Sequence, residues 1–262
     1  MTDPKENERL LADVTAWNYG KPPDIVWANA GAAIPGYFLD MPIETIRNQM
    51  DTNYWSAVYL SRAVLKTWLK TPAAPVKDAK GAPTRPPPRH FIMTSSVGAF
   101  CGLAGYAAYA PTKAALRSFH DQLRSELQLY NGYLSHPNNT SIPKIKIHTV
   151  FPGTIESPGL DLENTTKPPI LKQLEDGDPV QKPLDIATES IRQLEKGRSM
   201  ITTNFLGHIM KSASLQGSIR DNSLKDTAFS WMANIAWIFI APDMEKKVQK
   251  WGQQNGMTLK QE

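Results

Sequence analysis

Four short apolar runs, at residues 24–28, 90–95, 144–151 and 199–203, alternate along the 262 residues with longer stretches of helical spacing, and this alternation restricts the fold more than any other feature. Residues 4–18 place Leu10, Leu11, Val14 and Trp17 on one predicted helical face. Residues 42–70 start at Pro42, where a missing N–H costs nothing, and repeat Met50, Tyr54, Val58, Ser61 and Leu65 at helical intervals. Residues 109–130 align Leu116, Phe119, Leu123 and Leu127, and residues 183–195 form a further helix closed by Gly197. The run Ile25-Val26-Trp27-Ala28 is almost uninterrupted, as expected for a strand covered on both faces. Strands separated by helices predict α/β architecture, a doubly wound parallel sheet with right-handed crossovers. Ligands of such sheets gather beyond the C-terminal ends of the strands. Asn29-Ala30-Gly31, Ser95-Ser96 and Pro152-Gly153 all fall there.

Between the second helix and the second strand, residues 71–88 hold six prolines, a composition that predicts a surface loop without a core. The sheet domain is therefore expected to span residues 1–225 around that loop, with residues 226–262 forming an apolar helix and a polar tail. A formal charge of +4 is spread thinly along the chain, with no Lys/Arg block dense enough for a nucleic-acid surface. A single cysteine, Cys101, excludes an internal disulfide framework and fits a reducing compartment. The charged N-terminus does not read as a signal peptide. Asn138, Asn139 and Asn164 match the glycosylation pattern, but without a secretory signal they read as ordinary loop residues.

The segment from Ser96 to Lys113 carries the chemistry. Tyr109 and Lys113 are four residues apart, so a helix sets the ammonium one turn from the phenol, with Ser96 upstream at the end of a strand. A free phenol has a pKa of about 10, and a neighbouring cation favours the phenolate, so Lys113 is expected to lower the Tyr109 pKa. Tyr106 is a rival phenol, but Ala110 stands where its lysine would be; Ser95 is the corresponding rival of Ser96. His90, His120, His136, His148 and His208 show no metal-ligand spacing.

In this order, Asn29-Ala30-Gly31, Asn53 in D-T-N-Y-W, Ser96, Tyr109 with Lys113, and Pro152-Gly153 resemble the short-chain dehydrogenase/reductase family. The stretches at 15–32 and 50–63, and E-S-P-G after Pro152-Gly153, are similar to its fungal branch acting on 3-ketodihydrosphingosine. This resemblance implies a Rossmann-like reductase that uses NADPH on a long-chain sphingoid ketone, in sphingolipid synthesis at the cytosolic face of the endoplasmic reticulum membrane. It implies that Tyr109 is the general acid, its pKa lowered by Lys113 together with the positive nicotinamide ring of the oxidised cofactor, and that Ser96 holds the ketone oxygen. Lys113 would bind cofactor ribose, and Asn53 would hold a water that relays protons to Lys113. Asn29, Ala30, Gly31, Pro152, Gly153, Ile155 and Ser157 would surround the nicotinamide end. A steroid or retinoid-type ketone is an alternative substrate, and a non-catalytic module without cofactor binding is an alternative role.

One departure stands beside the match. The family opens with a strand and a T-G-x-x-x-G-x-G turn that cradles the pyrophosphate, whereas residues 1–19 contain no glycine. The chain is therefore expected to be N-terminally incomplete, without the first three strands of the family fold. Residues 229–242 run fourteen positions without a charge. As a helix they would extend about 21 Å, short of the roughly 30 Å of hydrocarbon in a bilayer, which predicts an interfacial or buried helix rather than a span. The segments 42–70 and 109–130 resemble the pair through which the family often forms homo-oligomers.

Overall fold

A computed structural model describes residues 1–71, 76–77, 79–81, 83–134 and 143–256. In chain order it contains α1 (Pro4–Trp17), β1 (Ile25–Ala28), α2 (Ile43–Met50), α3 (Ser56–Lys70), β2 (Val76–Lys77), β3 (Pro83–Thr84), β4 (Arg89–Thr94) and α4 (Ala110–Tyr133). There follow β5 (Ile145–Phe151), α5 (Pro158–Thr166), α6 (Pro169–Leu174), α7 (Pro183–Glu195), β6 (Met200–Thr202), α8 (Phe205–Ala213) and α9 (Ser223–Asn255). The main sheet is parallel throughout, in the order β1-β4-β5-β6. All four apolar runs thus become strands of one sheet, and helices cover it, as the alternation requires.

The core lies between the sheet and α1, α3 and α4, where Val64, Trp68, Phe91, Met93, Leu116, Leu127 and Ile147 pack together. Trp68 is fully buried, and its indole N–H donates to the Pro23 carbonyl at 2.8 Å, so the polar handle is satisfied. The buried Arg89 guanidinium donates to the Trp68 and Thr71 carbonyls at 2.9 and 3.0 Å and pairs with Asp24 at 3.3 Å. Those bonds tie the end of α3 to the start of β4.

Several expectations need correction. β1 is the edge of the described sheet, so its apolar run is only half covered and Ile25 is 64% exposed. On α1, Leu11 reaches the core but Trp17 is 83% exposed. The predicted helix at 42–70 is broken into α2 and α3 by a π-helical turn, Asp51–Trp55, which a spacing of three and four residues cannot reveal. Within 71–88, β2 and β3 form a short antiparallel ladder, and Arg85 donates to the Leu134 carbonyl, so part of the loop is anchored. Helices α5, α6 and α8 were not expected at all. Pro242 does not end the last helix, which starts at Ser223, inside the predicted sheet domain, and continues to Asn255. The N–H missing at Pro242 deprives the Ile238 carbonyl of a partner, and Ile238 is exposed, so water can replace it. Among the described residues no helix is long and apolar enough to cross a membrane. Asn138, Asn139 and His136 lie outside the described residues.

Toward the other end of the sheet from Ser96, two histidines are linked and a third lies buried nearby. His90 Nδ1 and His148 Nε2 are 2.9 Å apart, and His148 Nδ1 donates to the Arg198 carbonyl at 2.6 Å. His120 bridges Ser199 Oγ and Thr149 Oγ1, each at 2.9 Å. Burial lowers the pKa of His120 to about 3 and of His148 to about 4. In the unfolded chain both return to about 6.5, so unfolding takes up protons and stability falls as the pH drops through 6.5 toward 4. At pH 5 each histidine is expected to withdraw on the order of 2 kcal/mol relative to pH 8. Denaturant titrations of the wild type and of His120→Gln between pH 8 and 5 check this: the variant should lose close to half of the acid-side slope, and an unchanged slope would contradict the assignment.

Candidate functional site

The C-terminal ends of β1, β4, β5 and β6 open on one cavity of about 660 Å³. Asn29, Gly31, Ser96, Tyr109, Lys113, Pro152, Gly153, Ile155 and Ser157 all line it. Of the predicted residues, Ala30 is in the loop after β1 but not on the wall, and Asn53 lies behind Gly31.

Local structure explains how these groups meet. Ser96 leaves β4 in extended backbone and caps the short 3-10 turn Val97–Ala99, its Oγ accepting from the Gly98 N–H at 3.1 Å. Tyr109 is the N-cap of α4 rather than its first helical residue, with Pro111 close behind in the first turn. Ser95 Oγ donates to the Lys113 carbonyl at 2.9 Å, and Lys113 Nζ donates to the Thr94 carbonyl at 3.2 Å, so α4 is fastened to the end of β4. The Lys113 ammonium stands 5.8 Å from the centre of the Tyr109 ring.

The phenol does not behave as the spacing predicted. Burial pushes Tyr109 up to about 12, the nearby Ser96 hydroxyl pulls it back, and the charges of Glu163 and Glu175 raise it further. Loss of hydration outweighs the neighbouring ammonium, which at neutral pH leaves Tyr109 protonated. The same burial lowers Lys113 to about 8.

Asn53 is placed by the π-helical turn, and its amide is fully engaged: Oδ1 accepts from the Ala32 N–H and Nδ2 donates to the Ala32 carbonyl, both at 2.8 Å. The side chain therefore clamps the loop after β1 at Ala32. Ser157 caps α5, accepting from the Leu160 N–H at 3.2 Å, and Ile155 bridges to Gln181.

Two glycines test whether a nicotinamide dinucleotide fits. A Cβ on Gly31 would come within 2.9 Å of Asn53 Oδ1 and 3.0 Å of Lys113 Nζ, and one on Gly153 within 2.9 Å of Asn204 Nδ2. Both positions leave bare backbone at the cavity, beside an ammonium that gives only one bond to Thr94 and so can bind hydroxyl groups. These residues fit the nicotinamide and ribose part of such a cofactor. Among the described residues no group of three His, Cys, Asp or Glu side chains could hold a metal ion.

Sequence reasoning missed three features. Thr94 is a hub: its hydroxyl donates to Asn29 Oδ1 at 2.6 Å and accepts from the Trp27 indole at 2.9 Å, while its carbonyl holds Lys113. Gln181 accepts from Thr203 Oγ1 at 2.9 Å and from Asn204 Nδ2 at 3.2 Å, bracing the Gly153 side of the cavity. The third is a charged network. Tyr106 donates to Glu163 and Glu175 at 2.5 and 2.8 Å, and Lys167 pairs with the same carboxylates at 2.9 and 2.6 Å. Burial and the two carboxylates raise the Tyr106 pKa far above its usual value. Burial alone would lower Lys167, but both carboxylates overcome it and raise its pKa. Cys101 also lines the cavity, its thiol pushed up to about 11 by burial and by Asp178 and Glu175.

Comparison with known proteins agrees with this arrangement. The 3-ketodihydrosphingosine reductase ksrA of Aspergillus fumigatus is 44% identical over all of this chain, which spans 70% of the relative. The 3-ketodihydrosphingosine reductase gsl-3 of Neurospora crassa is 36% identical over 94% of this chain and 64% of its own length. A solved short chain dehydrogenase from Burkholderia cenocepacia, in complex with NADP, superposes with a TM-score of 0.57 at 16% identity, over 81% of this chain and 72% of that one, and so shares the fold. The sequence pattern of the short chain dehydrogenases matches residues 1–167. The chain belongs to the short-chain dehydrogenase family.

Proposed function

We propose that the protein reduces the long-chain sphingoid ketone 3-ketodihydrosphingosine to dihydrosphingosine at the Ser96–Tyr109–Lys113 site, with NADPH as reductant. The observation that carries this reading is the convergence of Ser96, Tyr109 and the buried Lys113, whose ammonium stands 5.8 Å from the centre of the Tyr109 ring, on one cavity with a partly aliphatic wall. The names of the fungal relatives supply the substrate, and resemblance to their branch supplies the choice of NADPH over NADH.

Bound NADPH supplies the reducing equivalents to the ketone carbon. The Ser96 hydroxyl donates a hydrogen bond to the ketone oxygen and sets it against Tyr109. Because Tyr109 keeps its proton at neutral pH, it has that proton to give as negative charge grows on the oxygen. The phenolate left behind faces the Lys113 ammonium, which offsets part of its charge. Lys113 also donates to ribose hydroxyls, and Asn29, Ala30, Gly31, Pro152, Gly153, Ile155 and Ser157 form the nicotinamide surroundings. Asn53 serves by holding the loop at Ala32.

Work at the cytosolic face of the endoplasmic reticulum membrane belongs to the same proposal, supported by the outward apolar residues Trp231, Ile235, Ile238 and Phe239 of α9. Pairing of two copies through α3 and α4 is supported by family resemblance.

In the full-length protein, Tyr109→Phe is expected to lower kcat for 3-ketodihydrosphingosine reduction by about 10²-fold or more with little change in NADPH affinity. Product formation followed by mass spectrometry checks it, and retention of wild-type turnover would refute the assignment. The pH dependence of kcat/KM for NADPH reports the free enzyme. Since Lys113 loses its charge near pH 8, this ratio should fall above that pH by up to about tenfold per unit, and Lys113→Arg should move the decline to higher pH.

A further inference from the structure

Three residues of α9, Trp237, Ile240 and Met244, line the catalytic cavity. Their spacing of three and four puts them on one helical face, where Ile240 is 39% exposed, while Ile235, Ile238 and Phe239 lie on the other side of the helix and are 61%, 67% and 72% exposed. Helix α9 packs against α8 and α6, and α8 adds Leu206 and Met210 to the same wall. None of these five residues falls within positions 1–167, the part that matches the short chain dehydrogenase pattern. The aliphatic wall therefore comes from a part of the chain separate from the segment that carries Ser96, Tyr109 and Lys113.

The remaining wall from α5 and α6 is mixed, with Leu160, Leu162 and Leu174 interrupted by charged groups. Tyr106, Glu163 and Glu175 line it, Lys167 is bonded to both carboxylates, and Asp178 lies beside them. Pressing methylene groups against that network would strip water from charged groups without giving them new partners. An amphipathic ketone with its carbonyl at Ser96 and Tyr109 finds an apolar surface uninterrupted by charge along α9, at Trp237, Ile240 and Met244. A polar head fits the charged side.

We propose that Trp237, Ile240 and Met244 form the alkyl-chain subsite and make α9 the element that sets chain-length specificity. The inference rests on the reading of the protein as a sphingoid-ketone reductase and adds to it the residues that choose among ketones. Each buried methylene contributes enough transfer free energy for about a three- to fourfold gain in kcat/KM.

A chain-length series of monomeric 3-keto sphingoid bases, assayed with NADPH and the full-length protein, tests it. In the wild type kcat/KM should fall about three- to fourfold for each methylene removed over the part of the tail that contacts α9. Trp237→Ala combined with Ile240→Ala should lower kcat/KM for the longest chain by about tenfold or more, leave the shortest nearly unchanged, and leave NADPH affinity intact. Lys246→Ala, at an exposed position of the same helix outside the cavity, should keep the wild-type series and so separates a subsite from general damage to α9. Equal losses at every chain length in the double variant, or a wild-type rate indifferent to chain length, would overturn the subsite. Failure of the wild type to reduce any member of the series while still binding NADPH would instead overturn the functional reading beneath it.

Discussion

The fastening of α4 to the end of β4 is the constraint on which the reaction centre depends. Ser95 donates to the backbone of Lys113, and the Lys113 ammonium donates to the backbone of Thr94, so each segment holds a buried polar group of the other. A typical hydrogen bond of this kind contributes about 1 kcal/mol, but losing either one would strand a buried partner and cost more. Because Ser96 directly follows Ser95, and Tyr109 caps the helix that carries Lys113, the same two bonds fix the separation of the two hydroxyls. Thr94 extends the tie to β1 through Asn29 and Trp27. A displacement of α4 would thus break both bonds to the end of β4 and loosen the residue through which β4 holds β1.

Legibility in the sequence followed the range of the forces involved. The strands could be read because a parallel strand between helices must be apolar over consecutive residues, and Phe91-Ile92-Met93 satisfies this without reference to anything distant. The Tyr109 and Lys113 pair could be read because one helical turn relates the two. Where partners were remote the reading failed. Tyr106 meets Glu163 and Glu175 across 57 and 69 residues, and no local pattern marks either carboxylate. The pKa of Tyr109 was misjudged for the same reason: the lysine was visible in the sequence, whereas the residues that exclude water were not. Asn53 was recognised as a position, but its bonds to Ala32 depend on a π-helical turn that a helical repeat cannot specify.

Two phenols with ring centres 5.3 Å apart are made chemically different by their neighbours. Tyr106 donates to two carboxylates already engaged with Lys167, which holds its proton firmly and makes it structural. Tyr109 meets a hydroxyl and an ammonium, neither of which obstructs departure of its proton. Burial and the two carboxylates raise both, but only Tyr109 has a neighbour, the Ser96 hydroxyl, that pulls its pKa the other way. Environment rather than residue type divides the roles, as it does wherever paired titratable groups share one cavity.

The division extends to the chain as a whole. Proton transfer requires hydroxyls and an ammonium held to within tenths of an ångström, and those groups come from strand ends and the first turn of a buried helix, where packing leaves little freedom. Choice among ketones requires only a surface of suitable polarity and length, which a peripheral helix can supply. Helix α9 suits that task because its inner face closes the cavity while its outer face makes few demands on the core, so Pro242 can sit in mid-helix with its orphaned carbonyl in water. Changes on that helix alter what the cavity accepts without disturbing the bonds that hold Tyr109 against Ser96, and a common reaction centre can in this way serve a particular lipid.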